Sequence, residues 1–165
     1  MILINDLVNE QYCQSEGMVL PANRFFIPNS KFWNKLKSLG IPSFIDCGTG
    51  SGHIPTEAKE KGIRMSGCDI HRRSDAPPQT HISPAHHMPF NENISALLCR
   101  PDHSGWVEGL IPVVLEKGGR FIYVGLPDNV EQDIPEGYTI KTIAKKVGEE
   151  GEVMLEISGE ASEEY

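Results

Sequence analysis

The chain has 165 residues, which is enough for one domain with a substantial core and too few for two full domains. Its hydrophobic content is 39%, and no apolar run approaches the roughly 20 residues that a membrane-spanning helix needs, so we expect a globular protein without a membrane segment. The net charge of −8 argues against a broad nucleic-acid-binding surface.

The first residues and the cysteines indicate the cellular compartment. Residues 1–6 contain no basic region, and an aspartate interrupts the apolar run that a signal peptide needs, so we expect a cytoplasmic protein. No two cysteines have C-x-x-C spacing, which is typical of free thiols in a reducing compartment. The four cysteines are Cys13, Cys47, Cys68 and Cys99.

The first part of the chain predicts an N-terminal extension, a helix and a buried strand. The extension covers 1–28, and its aromatic stretch 24–28 predicts either a lid over a ligand or packing against the helix that follows. Asn29 or Ser30 caps that helix, whose apolar side chains lie on one face. A continuous apolar run then predicts a buried parallel strand over 43–47.

A glycine-rich stretch follows this strand directly. Gly48, Gly50 and Gly52 alternate with other residues, and glycine permits left-handed backbone and the close approach of a ligand. Pro55 is tolerated only in a first helical turn, so we expect a helix over 54–61 immediately after the glycines. A helix N-terminus in this place offers unpaired N–H groups to a carboxylate or phosphate.

The rest of the chain predicts further strands, one long helix and a hairpin. Ser104 is predicted to cap this helix, and Pro112 predicts a kink or an early break in it. A glycine-bounded turn joins the last two strands into an antiparallel hairpin, and the acidic tail 159–165 is expected to fray. The strands after the first are predicted over 64–70, 80–83, 94–99, 120–126, 138–144 and 152–158.

The alternation of strands and helices predicts one α/β domain over 1–165. Its sheet is doubly wound, mostly parallel and seven-stranded, with the antiparallel hairpin at the C-terminal end. Ligands of such sheets bind at the carboxyl ends of the strands, near the switch point in strand order. The glycine stretch, Asp69, Ser83 and Arg100 are all expected at that edge.

Four segments resemble motifs of the class I S-adenosylmethionine-dependent methyltransferases. The stretch 46–52 resembles the family's D/E-x-G-x-G-x-G motif, and Asp69 matches the acidic residue that binds the ribose hydroxyls in the family. The stretch 85–90 resembles D-A-x-x-L-P-F, and 115–121 resembles L-x-P-G-G-R followed by a hydrophobic residue. The resemblance covers about residues 30–158 and implies a Rossmann-like fold. The segments 71–79 and 127–137 are shorter than in the family, which predicts that the helices are trimmed.

The resemblance also implies a cofactor, S-adenosylmethionine (SAM), and methyl transfer to an unidentified acceptor. In this family the acid of the first motif holds the ammonium group of SAM, and the acid after the second strand accepts hydrogen bonds from the ribose. The implied cofactor-binding residues are Asp46, Gly48, Thr49, Gly50, Gly52, Asp69, Ile70, Ala85, Met88 and Arg100.

The spacing of the glycines bears on other cofactors. It is G-x-G-x-G rather than the G-x-G-x-x-G of dinucleotide sites, which argues against an NAD-linked oxidoreductase. A different interpretation is a tight turn that only packs a strand against a helix.

The sequence departs from the family at Pro84, where the family has an aspartate near adenine, so adenine recognition would rely on the backbone of Ala85 and on Met88.

The end of the fourth strand is where acceptor chemistry usually takes place in this family. The sequence Arg100-Pro101-Asp102-His103 keeps one proline of the D/N-P-P-Y/F motif of nucleic-acid amino methylases, which argues against that acceptor class. Asp102 and His103 are candidate general bases. The alternative is that Asp102 caps the next helix and His103 lies on its exposed first turn.

The sequence also leads to expectations about a metal site, about partner proteins and about catalytic activity. The six histidines lack the spacing of metal ligands, so we predict no metal site. A small sheet leaves edges and apolar surface that a second copy or a partner protein would cover. Two functions remain open: a SAM-dependent methyltransferase, or a catalytically inactive methyltransferase-like binding or regulatory subunit.

Overall fold

A computed structural model describes residues 26–50, 52–70 and 80–160 of the chain. Most of the predicted N-terminal extension, Cys13, the loop 71–79 and the end of the acidic tail lie outside the described residues.

The observed elements follow the predicted order closely. The helices are α1 (Ser30–Ser38), α2 (His53–Glu60), α3 (Trp106–Glu116) and α4 (Val130–Asp133), with short 3₁₀ helices at Ala85–His87 and Pro127–Asn129. The strands are β1 (Ser43–Cys47), β2 (Met65–Asp69), β3 (His81–Ile82), β4 (Ile94–Cys99), β5 (Phe121–Gly125), β6 (Tyr138–Ala144) and β7 (Val153–Glu160). None of the helices in the described part of the chain has the length and apolar character that crossing a bilayer requires.

The seven strands form one sheet, as predicted. Their order is β3-β2-β1-β4-β5-β7-β6, with parallel pairing from β3 through β5 and antiparallel pairing of β7 with both β5 and β6. The chain proceeds from β1 outward to β3 and then returns to the other side of β1 for β4. The switch point therefore lies between the carboxyl ends of β1 and β4, where we expect a ligand.

Helices cover both faces of the sheet. Because successive side chains of a strand point to opposite faces, Phe44 and Leu97 pack with α1 and α2, whereas Ile45 and Leu98 pack with α3. Leu97 and Leu98 are each 0% exposed, and burial of such a side chain contributes about 1.5–3 kcal/mol. Asp46 lies two residues after Phe44 and so faces the side of α2.

The described part of the aromatic stretch belongs to the core. Phe26 is buried, and its ring lies edge-on to Phe32 with centroids 5.0 Å apart. The following residues pair with the β6–β7 turn, since the N–H of Asn29 donates to the carbonyl of Val147 at 2.9 Å. Phe26 therefore agrees with the predicted packing of this stretch against α1, and not with a lid over a ligand.

The described cysteines agree with the prediction, whereas the start of α3 does not. Cys47, Cys68 and Cys99 are free thiols, as predicted. The predicted cap of α3 at Ser104 is wrong, and so is the alternative cap Asp102. The N-cap is Gly105, with a left-handed φ of 98° and no side-chain capping hydrogen bond, and the helix begins at Trp106.

The predicted break at Pro112 is also wrong. The helix continues through Pro112 to Glu116, although proline removes one backbone hydrogen bond. The apolar face of α3, with Leu110 and Ile111 on one side of the proline and Val114 on the other, is buried against the sheet. This packing outweighs the lost hydrogen bond.

Candidate cofactor and active site

The glycine loop connects the end of β1 to the start of α2. Gly48, Gly50 and Gly52 all have left-handed backbone, with φ of 72°, 60° and 78°. A side chain at any of these positions would be strained, because a Cβ disfavours positive φ. The repeated glycines therefore follow from the left-handed backbone of the loop.

A buried acid lies beneath this loop. Asp46 is 2% exposed, and the hydroxyl of Thr49 donates to its Oδ2 at 2.7 Å. Burial raises the pKa of Asp46 to about 7, with a smaller upward contribution from the charge of Asp69, while the Thr49 hydrogen bond acts in the opposite direction. A cation next to this carboxyl would favour its ionised form.

The end of β2 holds the loop in place. Oδ2 of Asp69 accepts the N–H of Gly50 at 2.8 Å, and the carbonyl of Cys68 accepts the N–H groups of Gly48 and Thr49 at 2.9 and 3.0 Å. Asp69 thus contacts the glycine loop itself, at the place where the resemblance implies a ribose.

The residues predicted around adenine divide into two groups. Ile70 is 59% exposed at the end of β2, so it presents an apolar surface beside Asp69. Ala85 and Met88 are buried in the core cluster that α3 helps to form. The hydroxyl of Ser83 donates to the carbonyl of Pro84 at 3.1 Å.

Arg100 follows β4 in an unusual conformation. It has a left-handed φ of 53°, which costs a non-glycine residue about 1 kcal/mol or more. Its guanidinium donates to Glu152, which is 0% exposed, at 3.0 Å. The structure therefore brings Arg100 to the turn before β7 through this contact.

Asp102 organises the loop before α3. Its Oδ1 accepts the backbone N–H and the hydroxyl of Ser104 at 3.3 and 2.7 Å, and the indole N–H of Trp106 at 2.8 Å. A Cβ added at Gly48 would lie 3.4 Å from the Trp106 ring. Asp102 thus positions an indole ring against the glycine loop, a contact that sequence reasoning missed.

His103 makes a contact that the sequence did not reveal. It precedes α3 rather than lying on its first turn, and its Nδ1 is 2.7 Å from Oδ1 of Asp133 at the end of α4. The hydroxyl of Tyr123 on β5 donates to Oδ2 of the same aspartate at 2.5 Å. No sequence motif marks Asp133, so no signal in the sequence indicated this group.

The arrangement of the described elements matches solved structures of low sequence identity. One is yhhF from Escherichia coli, named as a methyltransferase, with TM-score 0.53 and 13% identity over 81% of this chain and 91% of that chain. Another is magnesium protoporphyrin IX methyltransferase (ChlM) from Synechocystis PCC 6803 with bound SAM, with TM-score 0.53 and 12% identity over 78% of this chain and 77% of that chain. The chain has the fold of the class I SAM-dependent methyltransferases.

A third structure extends this likeness to a larger protein. WbdD has TM-score 0.52 and 13% identity over 88% of this chain, and the match covers 37% of the WbdD chain. No protein-family model and no curated protein matches the sequence. Within residues 26–50, 52–70 and 80–160, no group of three or more His, Cys, Asp or Glu residues is placed to hold a metal ion.

Proposed function

We propose that this chain binds SAM at the glycine loop and transfers its methyl group to an acceptor at the carboxyl end of β4. The observation that supports the proposal most is the pair of carboxylates around the loop. Asp46 lies beneath it, and Asp69 is hydrogen-bonded to it. The acid beneath the loop, Asp46, disfavours the pyrophosphate of a dinucleotide and favours a ligand with a positive group at this place.

The residues present fit SAM, which has an ammonium group and a sulfonium. Asp46 is the partner for the ammonium, because a nearby cation favours the ionised form of a carboxyl whose pKa is raised to about 7 by burial. Asp69 accepts hydrogen bonds from ribose hydroxyls while it holds Gly50, since a carboxylate has about four acceptor sites. Ile70 contributes apolar contact beside the sugar and the base.

When bound, SAM supplies an electrophilic methyl group. The chain's own residues then have to exclude water and align the acceptor for in-line attack. The indole ring of Trp106 lies against Gly48 and closes one side of the loop. The segment 100–106, held by the Arg100–Glu152 pair, forms the adjoining acceptor side.

Cofactor binding is tested by the substitution Asp69→Asn. Asparagine keeps an oxygen that can accept the N–H of Gly50, but it removes the charge that strengthens hydrogen bonds to the ribose. Because hydrogen bonds to charged groups contribute about 1.5–3 kcal/mol, SAM affinity should fall by roughly 10–150-fold in isothermal titration calorimetry.

Glu116→Gln is the matched control, since Glu116 is an exposed carboxylate at the opposite end of α3. It should bind SAM as the wild type does, and NAD should bind to neither protein. Wild-type protein that binds NAD but not SAM would refute the proposal. Unchanged SAM affinity in the Asp69→Asn variant would refute the ribose role alone.

A further inference from the structure

Three polar side chains from separate elements form one hydrogen-bonded group. His103 comes from the loop after β4, Asp133 from the end of α4 and Tyr123 from β5. The distances are 2.7 Å between His103 Nδ1 and Asp133 Oδ1, and 2.5 Å between the Tyr123 hydroxyl and Asp133 Oδ2. Asp133 is 6% exposed, so both of its oxygens are bonded inside the protein.

The chemistry of this group determines which nitrogen of His103 holds the hydrogen. A carboxylate only accepts hydrogen bonds. Tyr123 is the donor to one oxygen, because burial first, and then the hydrogen bond to Asp133, raises the pKa of its phenol. The other oxygen accepts from His103, which places a hydrogen on Nδ1. In the neutral form of the ring the lone pair is then on Nε2.

The second ring nitrogen is turned away from this group. The His103 side chain is 36% exposed, and its Nε2 makes no hydrogen bond to any residue that the structure describes. A histidine whose Nδ1–H is held by a buried carboxylate is oriented to take a proton at Nε2. The carboxylate also stabilises the imidazolium that then forms.

His103 adjoins the proposed cofactor site through its neighbours in the chain. Asp102 accepts the indole N–H of Trp106 at 2.8 Å, and the Trp106 ring lies against Gly48. Trp106, the first residue of α3, therefore connects the loop that contains His103 to the glycine loop at the switch point of the sheet. This is the side on which the proposed function places the acceptor.

We propose that His103 is the general base of the reaction, that Asp133 positions it, and that the acceptor group is a hydroxyl. The inference rests on the proposed function. Hydroxyls need a base most, because a neutral amine already presents a lone pair and a thiol ionises near neutral pH. The acceptor hydroxyl gives its proton to Nε2 of His103 and its oxygen bonds to the methyl carbon, while the carbon–sulfur bond breaks and leaves its electron pair on sulfur.

The tautomer of His103 is tested without any acceptor. Long-range ¹H–¹⁵N spectra of the full chain, with His103 assigned by the His103→Gln variant, should show the hydrogen on Nδ1 of the neutral ring. Asp133→Asn should change this spectrum, because an amide can donate as well as accept. A wild-type ring with its hydrogen on Nε2 would overturn the inference.

The base and the acceptor class are tested by transfer of the labelled methyl group of SAM. The acceptors are catechol, phenol and 4-nitrophenol, with an aliphatic amine and a thiol for comparison. His103→Gln should lower kcat for phenol by about 10²–10³-fold, which is within the usual contribution of a general base. The loss should be much smaller for 4-nitrophenol, which is already ionised at mildly alkaline pH.

Asp133→Asn should show the same dependence on acceptor acidity with a smaller loss, and SAM affinity should stay within about twofold in both variants. Gln132→Ala, an exposed neighbour on α4, is the control and should behave as the wild type. Equal losses of kcat for all acceptors would indicate a structural role and overturn the inference. Methyl transfer only to the amine or the thiol would also overturn it, and so would SAM binding without transfer to any hydroxyl. Failure to bind SAM would overturn the proposed function instead, and the tautomer would still be decided by the spectra.

Discussion

Replacing Asp46 by asparagine should stabilise the fold and weaken its binding of SAM. The acid is 2% exposed, and burial is the main reason that its pKa is raised to about 7. Asparagine has nearly the same shape and keeps an oxygen that accepts the Thr49 hydroxyl. The substitution therefore removes mainly the cost of ionising a buried carboxyl.

The size of the effect follows from the pKa values. Each pKa unit corresponds to about 1.4 kcal/mol, so the rise from 3.8 to about 7 corresponds to about 4 kcal/mol of unfolding free energy. Between about pH 4 and pH 7, Asp46 keeps its proton in the folded chain but has lost it in the unfolded chain. The contribution of this proton to the free energy of unfolding is therefore complete below about pH 4. It declines as pH rises and is lost above about pH 7.

Urea unfolding of both proteins at several pH values measures this difference. The advantage of Asp46→Asn should grow by about 3 kcal/mol between pH 5 and pH 8 and then level off. Asp128→Asn is the control, because that carboxyl is exposed, and it should show no such trend. An advantage that does not depend on pH, or a variant less stable than the wild type at pH 8, would refute the reasoning.

SAM binding should respond to pH in the opposite direction. The ionised form of Asp46 is the one that attracts the ammonium group, so wild-type affinity should fall about tenfold for each pH unit below about 7. Asp46→Asn should bind SAM more weakly at pH 8 and lose this pH dependence. Calorimetric titrations at three pH values are sufficient to detect it, and a wild-type affinity that rises on acidification would contradict the role of Asp46.

Two further substitutions test how the loop and the acceptor segment are held. A Cβ at Gly67 would lie 2.7 Å from the Thr49 hydroxyl oxygen, so Gly67→Ala should destabilise the fold by about 1–3 kcal/mol in urea unfolding. The control Gly109→Ala, whose Cβ would have nothing within 4 Å, should stabilise α3 by up to about 1 kcal/mol. Similar changes in unfolding free energy at the two glycines would show that the contact with Thr49 does not matter. Glu152→Gln removes the buried charge that Arg100 pairs with and should cost about 3 kcal/mol or more, while a loss under about 1 kcal/mol would mean that the pair does not hold the segment.

Elements with strong local patterns were predictable from the sequence. The run Ile94–Cys99 is continuously apolar because β4 lies in the middle of the sheet and is covered on both faces, and its bounds match the prediction. Alternating glycines followed by Pro55 likewise indicated a turn and a helix start. In these stretches the residue types and the tertiary environment agree.

The start of α3 depended on a competition that local propensities do not settle. Ser104 is a good capping residue, but both its N–H and its hydroxyl bond to Asp102, which forms a turn and delays the helix to Trp106. The predicted cap failed because the hydroxyl of Ser104 bonds to Asp102 rather than to the helix. Neither side chain caps α3, whose N-cap is Gly105.

The group around Asp133 could not be inferred from the sequence. Its three members lie on separate elements, and they meet only because β5 passes beside β4 and a short helix returns after β5. Asp133 has no recognisable motif, and its identification needs the tertiary structure. The sequence supported His103 as a candidate base but gave no sign of its partner.

The place of β7 in the sheet has a consequence for folding during synthesis. β7 lies between β5 and β6, although it follows both in the chain, and in the described part of the sheet β6 pairs only with β7. Until residues 153–160 have emerged from the ribosome, β6 therefore has no partner strand among those described, and one edge of β5 is open. During that interval the nascent chain presents the unpaired edge of β5 to other chains, and β7 covers this edge once it emerges, which lowers the risk of aggregation.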